Sequence, residues 1–110
     1  MNLTAMSTEY IEKLRLNSRI KHLILNDYLP VWESILGRWH RRLNYFDCYA
    51  GPGKYLWKGN LVDGSPIIAI KKSIELLKSD RSNKPKEVNL LFIEKNAEQR
   101  KKLDSEISKI

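Results

Sequence analysis

One cysteine, five glycines, four prolines and two histidines are all that 110 residues supply of the types that build disulfides, turns and metal sites. The lone cysteine, Cys48, has no intrachain partner, and a chain without a disulfide framework fits a reducing cytoplasm. Cys48 lies inside a predicted strand with no activating neighbour in sequence, so it is expected to be a small buried hydrophobe rather than a nucleophile. His22 and His40 have no companions at metal-ligand spacing, so no metal site is expected. No apolar run is long enough to span a bilayer, and Met1 to Tyr10 is polar and lacks a secretory apolar core, so no membrane association is expected.

What the chain does have is positive charge. Twenty Lys and Arg stand against thirteen Asp and Glu, a net charge of +7. Such an excess favours polyanionic partners such as nucleic acid but says nothing about fold. The length allows one domain at most, burying ~65% of its unfolded surface.

The most informative stretch runs from Leu43 to Tyr55. Leu43, Tyr45 and Phe46 suit a pleated, packed surface, and the run reaches Asp47 before breaking at Ala50-Gly51-Pro52-Gly53. The glycines permit backbone conformations and close approaches closed to other residues, and Pro52 stiffens the turn between them. A loop of this kind after a parallel strand is where open α/β sheets place ligands, although Gly-Pro-Gly is also ordinary turn punctuation. A second apolar run, Val88 to Ile93, ends in Glu94. In a doubly wound sheet an acid there can accept hydrogen bonds from both hydroxyls of a ribose, and Asp47 and Glu94 are then expected on one rim. The spacing is not that of a nicotinamide-binding unit: Glu94 follows Gly53 by 41 residues (94 − 53), and Leu56 stands where a third glycine belongs. In that motif the acid follows after only ~20 residues.

Tyr45-Phe46-Asp47-Cys48-Tyr49-Ala50-Gly51-Pro52-Gly53-Lys54-Tyr55, followed by Gly64-Ser65-Pro66-Ile67-Ile68-Ala69-Ile70, resembles the three-Cys-motif partner family of bacteria and phages. That family carries a D-x-F/Y-A-G-P-G-x-Y strand and loop, a G-S-P helix start and an acid ending the next strand. Lys21, Leu23, Tyr28, Leu29 and Trp32 are similar to its leading helical segment. The resemblance implies a Rossmann-like α/β fold, a sheet flanked by helices of the S-adenosylmethionine methyltransferase class. It also implies a partner protein that carries the three cysteines. It places S-adenosylmethionine at Asp47, Ala50, Gly51, Pro52, Gly53 and Tyr55, with Glu94 as the ribose-binding acid. A similar D-x-x-A-G-x-G-x-Y arrangement recurs in some ribosomal RNA adenine methyltransferases. The fold implied has more strands than are seen here, so residues 43–110 are expected to be only its first β-α-β-α part, preceded by a helical segment at 1–42. The family's later acidic, proline-containing motif has no match after Glu94, which leaves the catalytic residues and the methyl acceptor unassigned.

The remaining segments read as follows. Ser7 or Thr8 caps a helix with Glu9 and Glu12 in its first turn, and Ile20, Leu23, Ile24 and Tyr28 form its apolar face. Pro30 either kinks this helix or opens a second one that stops at Gly37. Arg38 to Arg42 interleaves aromatic and basic residues: a nucleic-acid grip, or a solvated helix end with Trp39 tucked against the sheet. Tyr55 and Trp57 could flank a base or pack the loop onto the sheet edge. Ser65 is expected to cap a helix with Pro66 at its first position, Ile67, Ile68, Ile70, Ile74 and Leu77 facing the sheet. Ser79 to Glu87 reads as an exposed connection, and Asn96 as the cap of a last helix buried through Ala97, Leu103 and Ile107. Three functions are compatible with this reading. They are a methyltransferase-like cofactor binder, a non-catalytic protein that docks its partner, and a basic nucleic-acid module using Arg41, Arg42, Lys54, Trp57 and Lys58.

Overall fold

A computed structural model describes residues 13–110, which form an α/β arrangement of three helices and four short strands. In chain order these are α1 (Leu16–Gly37), β1 (Arg42–Asp47), β2 (Lys54–Trp57), β3 (Asn60–Asp63), α2 (Ser65–Lys78), β4 (Glu87–Phe92) and α3 (Ala97–Ser108). The cap expected at Ser7 or Thr8 lies outside the described residues.

β1 and β4 pair in parallel, Leu43 beside Val88, Tyr45 beside Leu90 and Asp47 beside Phe92. Parallel neighbours need a long crossover, and α2 lies within it. The pair is buried on one face only. Leu43, Tyr45, Val88, Leu90 and Phe92 turn inward, whereas Phe46 is 64% exposed and Leu91 50%. Strict alternation therefore replaces the two-sided burial that their apolar runs imply.

Lys54 to Asp63, whose Tyr55 and Trp57 were expected to lie in a loop, is instead a β-hairpin, with β2 antiparallel to β3. Its two-residue turn, Lys58-Gly59, has φ values of 48° and 82°, the sign pattern of a type I′ turn whose twist matches that of paired strands. Leu14 N–H donates to the Leu56 carbonyl (3.0 Å), so the chain entering α1 is stitched to the hairpin.

α1 continues through Pro30 without breaking, at ~33 Å for 22 residues. Gly37 ends it, but for a packing reason: a Cβ there would lie 2.6 Å from Pro85 Cδ. Pro85 is buried and Lys84 Nζ donates to the carbonyls of Leu77 and Ser79. Most of the segment from Ser79 to Glu87 is exposed, as expected, while its Lys84 sets a cation at the negative end of α2.

Among the described residues, one buried cluster unites Ala50, Ile67 and Leu103, with Phe92 and Ile107 packed against it. It joins the glycine loop, α2, β4 and α3. Asn96 caps α3 as expected, its side chain accepting from Gln99 N–H at 3.0 Å. Of the face assigned to α3, Leu103 and Ile107 pack inward while Ala97 is exposed.

Candidate functional site

The loop after β1 and the tip of β4 meet at the carboxyl ends of the parallel pair. Ile93 N–H donates to the Asp47 carbonyl (2.8 Å), and Ala50 N–H returns to the Ile93 carbonyl (3.1 Å). Gly51 N–H then donates to Glu94 Oε1 at 2.9 Å. This bond ties the loop to a carboxylate 43 residues away and puts Asp47 and Glu94 on one rim.

Each carboxylate is held by local donors. Asp47 Oδ1 accepts from Tyr49 N–H at 3.1 Å, and Oδ2 accepts from the Ser65 hydroxyl. Glu94 Oε2 accepts from Asn96 N–H at 2.7 Å. A carboxylate offers about four acceptor positions, so both groups retain capacity for further donors. Ser65 is not the cap of α2; Gly64 takes that position, and the Ser65 side chain orients Asp47 instead.

The glycines are required by conformation and by space. Gly51 and Gly53 have φ of 75° and 90°, in the left-handed region that favours glycine. A Cβ on Gly51 would lie 2.1 Å from the Tyr55 hydroxyl oxygen, and one on Gly53 would lie 3.2 Å from Leu103 Cδ1. The Tyr55 ring also packs against the His22 ring of α1, centroids 5.7 Å apart. Tyr55 is therefore a wall of the glycine loop and its link to α1. Ala50 and Pro52 are buried within the loop.

Local fields follow from these contacts. Burial lowers the pKa of His22, opposed by the charge of Asp47 and assisted by Arg19. Burial and Asp47 together push the Tyr45 hydroxyl up to about 12. Asp63, at the base of the hairpin, is pushed up by burial, but Lys54 and Lys71 outweigh that and hold its carboxyl below the ordinary value.

The five residues assigned to nucleic acid do not form one patch. Arg41 and Arg42 stand at the opposite end of β1, where Arg42 pairs with Glu87. Lys54 pairs with Asp63 within the hairpin, and Lys58 lies at its turn with Nζ 5.5 Å from the Trp57 ring centroid. Trp57 is half-buried in β2. Trp39 is 80% exposed and is not tucked against the sheet. Cys48, expected to be buried in a strand, is exposed in the turn after β1. Among the described residues no group of three or more His, Cys, Asp and Glu could hold a metal ion, and no helix is long and apolar enough to cross a membrane.

Sequence reasoning missed Ser65 as the partner of Asp47 and His22 as the neighbour of Tyr55. The place of Ser65 within the Gly64-Ser65-Pro66 helix start was the only available signal for the first; nothing local marks the second. Compared with family models, curated proteins and solved structures, the chain matches none.

Proposed function

We propose that the chain is a three-Cys-motif partner protein of the methyltransferase-like class that binds S-adenosylmethionine on the rim formed by the glycine loop and Glu94. The observation that carries this reading is the Gly51 N–H to Glu94 Oε1 bond, which joins the loop to the acid at the tip of the neighbouring parallel strand. The donor chemistry fits. Glu94 keeps acceptor capacity for a ribose diol, Asp47 keeps it for an ammonium group, and the glycines let backbone approach a ligand closely. The parallel β1–β4 pair with α2 in its crossover supports a Rossmann-like assignment.

S-adenosylmethionine supplies an activated methyl group. The chain's contribution is binding and orientation: Asp47, fixed by Ser65, and Glu94, fixed by Gly51 and Asn96, are anchored acceptors. Calorimetric titration with S-adenosylmethionine tests the reading. Binding is expected, and it weakens in Glu94→Gln and Gly53→Ala; a folded protein that shows no heat of binding removes the proposal.

A second reading is favoured by the exposed apolar side chains of α1, Ile20, Leu23, Ile24, Val31 and Ile35 among them. On this reading the fold serves to dock the three-Cys-motif partner, with no catalysis of its own. Co-purification with that partner that persists in Glu94→Gln and is lost in Ile24→Glu supports it.

A further inference from the structure

A cleft of ≈ 420 Å³ runs between α1 and the β2–β3 hairpin, with α2 along its third side. Three cations line it, Arg19, Lys54 and Lys71, against one carboxylate, Asp63. Asp63 takes both lysines, Lys54 on Oδ1 and Lys71 on Oδ2 at 2.9 Å. An ammonium has three donors, so each lysine keeps two for another acceptor, and the pairing fixes their position rather than using them up. The Arg19 guanidinium has no hydrogen bond or ion pair among the described residues. The buried Nδ1 of His22 has no partner there either. Asn26 adds an amide, and Leu23 and Ile68 supply an apolar wall.

Among the described residues, the cleft therefore carries two positive charges beyond what Asp63 balances, unspent polar groups of several kinds and an apolar side. That combination complements a phosphate ester bearing an organic group. We infer that this cleft binds the phosphate of a nucleotide, with Arg19, Lys54 and Lys71 as its contacts. Its size matches a small-ligand pocket, usually ~300–1,000 Å³. Gly51, Gly53 and Glu94 do not line it, so the inference does not rest on the S-adenosylmethionine reading.

The test is an NMR titration of the full chain at low salt with inorganic phosphate, a 5′-mononucleotide and a short single-stranded oligonucleotide. Saturable shifts are expected at the amides of Arg19, His22, Asn26 and Lys71. Arg19→Gln and Lys71→Gln each weaken binding about tenfold, the loss of one charge-assisted hydrogen bond. Lys101→Gln on α3, outside the cleft, leaves binding unchanged. Asp63→Asn keeps an oxygen that both lysines can donate to, removes the one negative charge lining the cleft, and keeps or tightens binding. Tighter binding of the mononucleotide assigns the phosphate to a free nucleotide; tighter binding of the oligonucleotide assigns it to a nucleic-acid backbone. The inference is overturned by the absence of saturable shifts with all three probes, by an equal loss in Lys101→Gln, or by a loss in Asp63→Asn as large as that in Arg19→Gln. Glu94→Gln, measured alongside, separates this outcome from failure of the S-adenosylmethionine site.

Discussion

α1 and α2 lie side by side, and both carry an apolar stripe at helical spacing, yet they use it in opposite ways. α2 turns Ile67, Ile68, Ala69 and Leu76 into the protein. α1 turns Ile20, Leu23, Ile24, Tyr28, Val31 and Ile35 outward and buries Leu29 and Glu33. Where the two helices meet, a polar pair sits inside the seam: the Ser73 hydroxyl donates to Glu33 Oε2 at 2.9 Å, and Glu33 is only 1% exposed. The difference teaches that periodicity identifies a stripe without saying what will cover it. For α2 the cover is α1 itself, β4 and, at Ile67, α3; the outward face of α1 has no described element over it.

Four substitutions break or sharpen that contrast. Ile67→Ala is expected to have the largest effect, since Ile67 is fully buried between Ala50 and Leu103. It should cost ~2–5 kcal/mol in chemical denaturation, the usual penalty for a core cavity. Ser73→Ala comes next. It leaves a buried carboxylate without its donor, at ~1–3 kcal/mol.

The same seam gives a pH dependence. Burial raises the Glu33 carboxyl pKa, partly offset by the Ser73 bond. The folded state therefore holds the Glu33 proton to higher pH than the unfolded chain does. Stability from this group is full below the ordinary carboxylate range and is lost as pH rises through the raised value. Denaturation midpoints across that window should fall for the wild type and flatten in Glu33→Gln. The smallest effect belongs to Ile24→Ser on the outer face of α1, within ~0.5 kcal/mol. A large loss there would show that the outward stripe is covered in solution.

Much of the frame is legible in the sequence because its signals are local. β1, the glycine loop, β4 ending before Glu94 and α3 capped by Asn96 each follow from residues within a few positions of one another. The hairpin was missed because Lys54 to Asp63 reads as polar-aromatic loop; the Lys58-Gly59 turn was its one marker, and lysine there is an uncommon choice for positive φ. Long-range ties were out of reach for a different reason. That Ser65 holds Asp47, that Tyr55 fills the space beside Gly51 and that Gly37 meets Pro85 depend on chain segments brought together only by folding. The placement of Asp47 and Glu94 at the carboxyl ends of the paired strands was legible, since each ends a local apolar run. The basic residues assigned together, Arg41, Arg42, Lys54 and Lys58, were not, because opposite ends of β1 and the hairpin separate them.

Gly51 reaches Glu94 across 43 residues, Glu33 reaches Ser73 across 40, Ser34 reaches Arg81 across 47, and Arg42 meets Glu87 across 45. These four ties span similar, long stretches of chain, whereas Ser65 reaches Asp47 across 18 residues and Lys54 reaches Asp63 across 9. Loop-closure entropy opposes each of these four before it forms, so refolding is expected to be slower than that of a helical bundle of this size, a difference that stopped-flow refolding would read. A single cut at the Lys58-Gly59 turn would separate the two ends of each of these four bonds. The resulting halves should be unstructured apart and regain the native fold only when mixed, which makes that turn the natural place to split the protein into complementing fragments.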